Sequence, residues 1–467
     1  MTVYNNIIYY AFFSHFSPIF LLILVSIFGY YYHYPIFTDE RILFFNDLHY
    51  QENFNPYGSS HNGCSSNSTN SGVPSLYGIY GCNSPPRLIH SFFKFLKTHR
   101  KPSMIIFGGD SVSLPEKTDK AYLKWMDYFM STLSNIYPST PILITLGNNE
   151  FVHNYGSFDT DHHDFHLFSQ ALSPYLKSDQ IETIQKGGYY YHDLPSQNLR
   201  IIVLNSIMYL TKMSRKNHNE TDPWEQLSWL QSIIKDARRK KMEIILTMHA
   251  PPNPISPEKP QSGWNQIYLN QFSRIIKKYN IHQILVGHSH LDLIFPIYSE
   301  EQLSQQLNDQ SPQFNEEIYD QINKNNKFNQ LESQLLFSNN KTLNHCKNIK
   351  YNKNIKNNID NNVLVKEDGF VALSSPSISP KHGNNPAFRI YKLRKGKVYD
   401  YDQYYTDISL INYENNYPKW KKHYSFLNTY HIKDFGSFHE KIANSPKKTQ
   451  IYKDNMWVNA LPFKKSG

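Results

Sequence analysis

The chain has few cysteines, so any metal site in it must depend on other side chains. Only three cysteines, Cys64, Cys82 and Cys346, occur in 467 residues, which excludes a site built from four thiolates. Cys64 and Cys82 bracket a loop rich in serine, asparagine and glycine, and a disulfide would close this loop in an oxidising compartment. Cys346 lies in low-complexity sequence, where we expect a free thiol.

The first 38 residues carry no Asp, Glu, Lys or Arg. Residues 7–34 are almost uninterrupted apolar and aromatic, a length that can cross a bilayer. No basic residue precedes this run, and Ile27-Phe28-Gly29 is a poor cleavage site. We therefore predict that residues 1–38 are an uncleaved signal-anchor, with a cleaved signal peptide and a buried helix as alternatives. Its orientation is weakly specified, because the first basic residue, Arg41, follows the run.

The chain is basic, with 48 Lys and Arg against 39 Asp and Glu, a formal net charge of +9. This balance favours polyanionic substrates or anionic membrane surfaces. A general compositional bias toward Lys, Asn, Tyr and Ile is the alternative explanation. Nothing in the chain indicates specific nucleic-acid recognition.

Composition divides the chain into five parts. After the hydrophobic segment at 1–38, the pattern predicts an α/β core at 39–298, in which strands alternate with helices. Residues 299–368 are rich in Asn, Gln, Lys and Ser and poor in aromatics, which is typical of a low-complexity insertion. Core strands resume at 369–410, and a C-terminal extension follows at 411–467. Predicted helices cover 84–98, 117–136, a segment ending near Leu176, and 222–241; further predicted strands cover 188–194, 199–205, 370–374, 387–393 and 397–405.

Five polar loops each follow a short, apolar run. They are Asn46-Asp47-Leu48-His49, Gly108-Gly109-Asp110, Gly147-Asn148-Asn149-Glu150, Met248-His249-Ala250-Pro251 and Gly287-His288-Ser289-His290. Such runs are typical of buried strands in a parallel sheet, whose carboxyl ends collect ligands. We therefore expect the five loops to face the same region.

The side chains in these loops are those of a metal site. Two Asp, one Asn and four His offer oxygen and nitrogen ligands, which suit zinc, manganese or iron better than a thiolate site or a calcium cage. A single Asp or His in a loop is usually structural, whereas five such motifs at strand ends point to a shared centre.

The order D-x-H, GD, GN, H, GHxH resembles the calcineurin-like metallophosphoesterases. The resemblance implies a four-layer α-β-β-α sandwich of two mixed sheets, with two divalent metal ions, zinc in preference to manganese or iron. It assigns Asp47, His49, Asp110 and His290 to the first metal, with Asp110 bridging. It assigns Asn148, His249 and His288 to the second, and Asn148 also counts as catalytic.

Further markers resemble the acid sphingomyelinase-like group, which includes sphingomyelinases, nucleotide-cleaving relatives and endopolyphosphatases. These markers are Tyr80-Gly81-Cys82-Asn83-Ser84-Pro85-Pro86, Asp222-Pro223, Gln226-Leu227-Ser228-Trp229-Leu230 and Asn385-Pro386-Ala387-Phe388-Arg389. The resemblance implies a lumenal or extracellular catalytic domain in the secretory pathway, membrane-anchored or secreted. The sequons at Asn67, Asn219 and Asn340 would then carry N-glycans.

The chain departs from this group at two positions. Sphingomyelinases have a histidine after the Asn of GN and another four residues after the Asp of GD, and here these positions are Asn149 and Leu114. Both histidines assist the transition state and the leaving group, and loss of a general acid costs about 10²–10⁴-fold with a poor leaving group. His153 is a candidate substitute acid, with an ordinary loop histidine as the alternative.

We therefore expect a dinuclear phosphohydrolase that uses a metal-bridging hydroxide to cleave phosphoanhydride bonds, such as those of polyphosphate or nucleotides. The alternative activity is phosphodiesterase action on sphingomyelin or another phosphodiester. A catalytically weak, metal-binding protein that binds phosphates or a partner is the alternative outside the enzymes.

Overall fold

Two six-stranded mixed sheets form the centre of the computed structural model, which describes residues 40–60, 63–65, 74–113, 118–150, 163–211, 221–252, 263–297, 370–409 and 417–460. The first sheet has the order β12-β11-β10-β1-β2-β3, and the second has the order β4-β5-β6-β7-β9-β8. The strands are β1 Glu40–Phe45, β2 Met104–Phe107, β3 Ile142–Ile144, β4 Tyr190–Leu194, β5 Leu199–Val203, β6 Glu243–Met248, β7 Gln283–Val286, β8 Leu293–Pro296, β9 Val371–Ser374, β10 Ala387–Arg394, β11 Lys397–Tyr405 and β12 Lys421–Ser425.

Nine α-helices accompany the sheets in the described part of the chain. They are α1 Pro86–Leu96, α2 Asp119–Ile136, α3 His163–Leu172, α4 Ser178–Gly187, α5 Gln226–Arg239, α6 Gln266–Lys278, α7 Phe426–Tyr430, α8 Phe438–Ala443 and α9 Pro446–Met456. One hydrophobic core cluster includes buried residues of both sheets and of several helices. The predicted α/β class with two mixed sheets is confirmed.

The five apolar runs become β1, β2, β3, β6 and β7. β1 pairs in parallel with β2 and β2 with β3, whereas β6 pairs in parallel with β7 in the other sheet. Each run is short and almost wholly buried, because both faces of these strands are covered. The carboxyl ends that carry the polar loops are therefore divided between two sheets.

Several elements differ from the sequence prediction. The helix expected to end near Leu176 is α3, which ends at Leu172, and the predictions did not include α4, α6, β8 and β12. α5 begins at Gln226 rather than at 222, because Trp224 and Glu225 both have left-handed backbone, with φ of 49° and 55°. Asp222 still caps this helix, since its carboxylate accepts hydrogen bonds from Leu227 N at 2.7 Å and Ser228 N at 3.0 Å.

Residues 417–460 pack on the core. β12 extends the first sheet by pairing antiparallel with β11. The hydroxyl of Tyr452 in α9 accepts a hydrogen bond from Ile294 N at 3.0 Å, and Asp292 N donates to Met456 O at 3.1 Å. α9 therefore supports the chain directly after the Gly287–His290 loop.

Cys64 and Cys82 form a disulfide, with their Cα atoms 6.0 Å apart. Three further predictions lie outside the described residues: the hydrophobic segment at 1–38, the low-complexity insertion at 299–368, and the sequons at Asn67, Asn219 and Asn340. Within the ranges that the structure does describe, no helix is both long and apolar enough to cross a membrane.

Candidate metal centre

Backbone hydrogen bonds hold the strand-end loops together. Asp47 N donates to Gly109 O at 2.9 Å, and His49 N donates to Asp110 O at 3.1 Å, which joins the loops after β1 and β2. Gly287 N donates to His249 O at 2.9 Å, which joins the loops after β6 and β7 in the second sheet. His288 N in turn donates to Asp47 Oδ2 at 2.9 Å, so the two sheets bring their polar loops to one place.

The first group of side chains consists of Asp47, His49 and His290, all buried. His290 Nε2 lies 3.1 Å from Asp47 Oδ1, and His49 Nε2 lies 3.6 Å from the same oxygen. The Nε2 atoms of the two histidines are 3.2 Å apart. One carboxylate oxygen and two imidazole nitrogens therefore surround a single point.

The second group consists of Asp110, His249 and His288, with Asn148 beside them. His249 Nε2 lies 3.5 Å from Asp110 Oδ2, 3.2 Å from His288 Nδ1 and 3.3 Å from Asn148 Oδ1. The arrangement brings the amide oxygen predicted from the GN motif next to the histidines predicted from two other loops.

Asp110 lies between the two groups. Its Oδ2 is 3.5 Å from His49 Nε2 in the first group and 3.5 Å from His249 Nε2 in the second. An Asp in this position can serve both groups, which is the geometry that the bridging assignment requires. All seven predicted metal-site residues are thus brought together.

The seven residues fit a pair of cations. Within the described residues, the buried oxygen Asp47 Oδ1, which lies between His49 Nε2 and His290 Nε2, has no hydrogen-bond partner, although unsatisfied buried polar atoms are costly. His249 places its Nδ1 2.7 Å from Gly108 O, the support that a metal-binding imidazole usually has on its second nitrogen. Nitrogen and oxygen donors at this density suit zinc, manganese or iron.

Backbone strain is concentrated at these positions. Five of the seven residues have positive φ: Asp47 at 50°, His49 at 42°, Asp110 at 58°, His288 at 65° and His290 at 61°. For a residue other than glycine this conformation costs about 1–3 kcal/mol and persists only where the surroundings impose it. The loops are therefore shaped for the position of their side chains at the expense of local stability.

The carboxylates and His249 shift one another's ionisation in the metal-free protein. Although burial lowers it, the charges of Asp110 and Asp47 raise the pKa of His249 to about 10. Burial raises the pKa of Asp47, but His290 and His249 hold it well below its usual range. Without metal, the centre therefore keeps one proton on His249 to balance two carboxylates.

The pKa values of His49 and His288 shift in the opposite direction. Burial first, and then the positive charge of Lys381, lower the pKa of His49 to about 4. Burial and the neighbouring His249 lower the pKa of His288 to about 3. Both imidazoles are thus neutral near pH 7, the form that binds a metal ion.

Glu150, the last residue of the GNNE motif, has a structural role that the sequence did not reveal. Its Oε2 accepts hydrogen bonds from Asp110 N at 2.9 Å and Gly147 N at 2.7 Å, and its Oε1 accepts one from Ser111 N at 2.6 Å. A Cβ on Gly147 would come within 2.5 Å of Asp110 N and 2.7 Å of Glu150 Oε2. Burial and Asp110 raise the pKa of Glu150 to about 7.

The markers of the sphingomyelinase-like group serve the scaffold. Asn385 Oδ1 accepts a hydrogen bond from the Tyr80 hydroxyl at 2.7 Å, which joins two of the markers, and Asn385 Nδ2 donates to Val458 O at 3.0 Å. Gln226 donates to the Tyr209 hydroxyl at 2.6 Å and accepts from Asn205 N at 2.7 Å. These residues hold the elements behind the centre.

Of the two positions at which the chain departs from the sphingomyelinases, the structure describes only Asn149. Asn149 lies in the centre, where its Nδ2 donates to Asp110 Oδ2 at 2.6 Å and its backbone N donates to Asp110 Oδ1 at 2.8 Å. Leu114 and His153 lie outside the described residues, so the candidate general acid His153 stays a prediction. The structure adds His382, whose ring lies 4.3 Å from that of His290. Its only sequence signal is a short polar turn ahead of the Asn385–Arg389 marker.

Comparison with known proteins agrees with this centre. The calcineurin-like phosphoesterase family model matches residues 40–292. The chain is 27% identical over 237 residues to the cyclic GMP-AMP phosphodiesterase SMPDL3A of Homo sapiens, covering 49% of this chain and 52% of that protein. It is 28% identical to the sphingomyelinase phosphodiesterase C of Dictyostelium discoideum, over 49% of this chain and 52% of that protein.

The acid sphingomyelinase-like phosphodiesterase 3b of Homo sapiens is 24% identical, over 48% of this chain and 51% of that protein. The chain spans about half the length of these curated relatives. The family match covers more than half of the chain and contains every residue of the candidate metal centre. The chain therefore belongs to the calcineurin-like phosphoesterase family, and it is a metallophosphoesterase.

Proposed function

We propose that this metallophosphoesterase hydrolyses phosphoanhydride bonds, as in polyphosphate or nucleotides. The observation that carries the proposal is Asn149. Its amide donates to Asp110 at 2.6 Å, in the position where sphingomyelinases have a histidine. An amide cannot protonate a leaving group at neutral pH, so this position orients Asp110 and supplies no general acid.

The seven residues of the centre would hold two divalent ions, with zinc as the proposed metal. Asp47, His49 and His290 would hold one ion, and Asn148, His249 and His288 the other, with Asp110 between them. The bound ions would supply positive charge to the phosphoryl oxygens and a water that is deprotonated near neutral pH. The chain itself fixes the ligands through the backbone bonds and the Glu150 carboxylate described above.

The leaving group decides which substrate suits this arrangement. An alkoxide leaves poorly without a proton, and general acids typically contribute about 10²–10⁴-fold in rate. A phosphate group has a second pKa near 6 and leaves an anhydride without such help. The absence of an imidazole at position 149 therefore favours anhydrides over sphingomyelin and other alkyl diesters.

Phosphodiester hydrolysis is the second candidate. The names of the three relatives, all phosphodiesterases, favour it. A diester with a good leaving group would also need no general acid, so an activated aryl diester is expected to be a substrate in either case. The distinction lies between anhydrides and alkyl diesters.

The test is a substrate panel with the purified full chain and added zinc or manganese. Tripolyphosphate and ATP should be cleaved faster than sphingomyelin, and Asp110→Asn should lower every activity by about 10³-fold, since loss of metal charge removes several kcal/mol. Asp119→Asn, which changes an exposed carboxylate paired with His163, is the matched control and should keep activity. Faster cleavage of sphingomyelin than of tripolyphosphate would overturn the proposed substrate class.

Asn149→His tests directly whether the amide at position 149 determines the substrate class. An imidazole at this position should raise alkyl diester hydrolysis by about 10²-fold, the lower end of the range for general acids. It should leave the rate with tripolyphosphate nearly as it was, since that leaving group needs no proton. An equal change on both substrates would mean that Asn149 acts only through Asp110.

We propose a location in the secretory pathway for the catalytic domain. The Cys64–Cys82 disulfide supports it, because disulfides persist in oxidising compartments. Membrane attachment through residues 1–38 and N-glycans at Asn67, Asn219 and Asn340 belong to the same proposal. Digestion of the cell-expressed protein with an N-glycosidase should reduce its apparent mass, and an unchanged mass would contradict it.

A further inference from the structure

One loop at the metal centre has no part in the ligand set. We call residues 375–386, between β9 and β10, the rim loop. Ser377 N donates to His290 O at 3.2 Å, Ile378 N to Asn46 O at 3.2 Å, and Ser379 N to Asp47 O at 3.0 Å. The rim loop is therefore fixed against loops of both sheets that carry candidate ligands.

Two side chains of the rim loop are open to solvent. Every residue from Phe370 to Ile390 is buried except Lys381, which is half-buried, and His382, which is exposed. A turn closed by Gly383 N donating to Pro380 O at 3.0 Å presents these two residues, and Gly81 N donates to Pro380 O at 3.1 Å from outside the loop. The exposed pair thus stands on a rigid base.

The exposed pair lies next to candidate ligands of the metal centre. The ring of His382 lies 4.3 Å from that of His290, at an interplanar angle of 79°. Lys381 is the residue before His382, and its backbone N donates to Ser379 Oγ at 3.3 Å, which ties it to the part of the rim loop that is bonded to Asp47. One imidazole and one ammonium group therefore border the place where a substrate phosphate would meet the metals.

The charge balance favours an anion at this border. The seven candidate ligands include two carboxylates, Asp47 and Asp110, against the four positive charges of two divalent ions. The ammonium group of Lys381 adds a further positive charge at the edge. An isolated phosphodiester carries one negative charge and would leave this excess largely unused, whereas a chain of phosphates would extend its charge over the rim.

We propose that Lys381 and His382 bind the phosphoryl group next to the one attacked, so that the rim selects substrates with adjacent phosphates. This inference rests on the proposed function and names its substrate class. Lys381 contributes a charge-assisted hydrogen bond to the adjacent phosphate, and His382 contributes an N–H from its exposed ring. Neither role requires a change of protonation.

The first measurement compares two substrates in the full chain. In Lys381→Met, the ratio of kcat/KM for tripolyphosphate to that for bis(4-nitrophenyl) phosphate should fall by about 10-fold, mainly through KM, as expected for the loss of a hydrogen bond between charged groups. His382→Asn should lower the ratio by about threefold, as expected for a neutral hydrogen bond. Lys381→Arg should largely preserve it.

Lys97→Met is the matched control, because Lys97 is an exposed lysine at the end of α1. It should behave as the unchanged protein does. An equal loss on both substrates in Lys381→Met, or no loss on either, would overturn the proposed role.

A second measurement separates this inference from the proposed function. Pyrophosphate and phosphate are compared as competitive inhibitors of diester hydrolysis at constant free metal, and their binding is measured by titration calorimetry. Pyrophosphate should bind more tightly than phosphate, and Lys381→Met should abolish most of that preference. This result supports the rim site even if no anhydride is cleaved. Equal binding of the two anions to the unchanged protein would overturn it.

Discussion

Two buried polar clusters, which include His290 and Asp292 respectively, differ in how their polar atoms are satisfied. One is the metal centre, and the other, which we call the arginine cluster, is built from Arg389, Asp292, Tyr391, Gln403 and Tyr424. In the arginine cluster, Arg389 donates to Asp292, to Gln403 Oε1 at 3.2 Å and to the Tyr391 hydroxyl at 3.2 Å. The Tyr424 hydroxyl donates to the other oxygen of Asp292.

The metal centre shows the reverse pattern. Its histidine nitrogens approach each other to 3.2 Å in two places, between His49 and His290 and between His249 and His288. Asp47 Oδ1 has no hydrogen-bond partner among the described residues. A buried cluster whose charged groups are paired with one another stabilises the fold. A buried cluster whose nitrogen and oxygen ligand atoms face one another is organised to bind a cation. This difference alone identifies the arginine cluster as structural and the metal centre as functional, without reference to any family.

The largest expected effect comes from removing the charge of the arginine cluster. Arg389→Met should lower the free energy of unfolding by about 3–5 kcal/mol, because it leaves the fully buried carboxylate of Asp292 without its partner. The Arg389 side chain is 0% exposed, so water cannot replace it. Urea denaturation of the metal-free protein measures the loss.

The double variant Arg389→Met with Asp292→Leu provides the control for this prediction. Removing both charges should recover part of the stability, since paired buried charges can be exchanged for apolar groups at low cost. If Arg389→Met unfolds no more easily than the unchanged chain, the arginine cluster is not structural and the comparison fails.

The same contrast explains what the sequence could and could not predict. Asp47, His49, Asp110 and His290 were predictable, because each motif directly follows a short apolar strand, and strand ends converge in α/β folds. Lys381 and His382 were not, because a turn between two strands looks like an ordinary surface loop until backbone bonds fix it against the centre. α6 was missed in a region without an obvious start signal, although Asn265 caps it by accepting from Ile267 N at 3.0 Å.

The left-handed backbone at the five ligand positions could not be predicted from the sequence either. Asp47 and His290 have no local residue pattern that demands positive φ, and it arises from contacts between loops distant in the chain. The sequence showed Arg389 as part of a marker motif. It could not show that the partner of Arg389 is Asp292, which lies 97 residues away.

The next effect comes from metal removal, which should act on one cluster alone. With free metal at about 100 times its dissociation constant, a chelator should lower the free energy of unfolding by about 2.7 kcal/mol for each ion removed. Arg389→Met should lose the same amount on chelation, because its defect lies outside the ligand set. A much smaller loss in that variant would show that the two clusters are coupled.

Metal binding should also release protons. In the metal-free protein, where the nearby carboxylates outweigh burial, the pKa of His249 is about 10, so this imidazole is charged near neutral pH and must lose its proton to bind a cation. Metal affinity should therefore rise with pH until the pH reaches that pKa. Titration calorimetry at about pH 8 in two buffers of different ionisation enthalpy should give about one proton per chain. A release of zero would contradict the ligand role of His249.

The smallest expected effect concerns His423, a histidine at the edge of the arginine cluster with the opposite shift. It contacts Gln403 at 3.4 Å and Asn459 at 2.9 Å, and burial lowers its pKa to about 4. Between pH 6.5 and that value the unfolded chain binds a proton that the folded chain does not, so stability falls as the pH falls. From about pH 7 to pH 5.5 the loss from this group is about 1 kcal/mol.

His423→Gln should remove this contribution, so that the variant gains stability relative to the unchanged chain as the pH is lowered through this window. His166→Gln, which changes an exposed histidine of α3, is the matched control and should show the same pH dependence as the unchanged chain. Urea denaturation of metal-free protein at both pH values is the measurement. Parallel stability curves for His423→Gln and the unchanged chain would mean that His423 is not held neutral. The contrast between a neutral His423 and a charged His249 would then disappear.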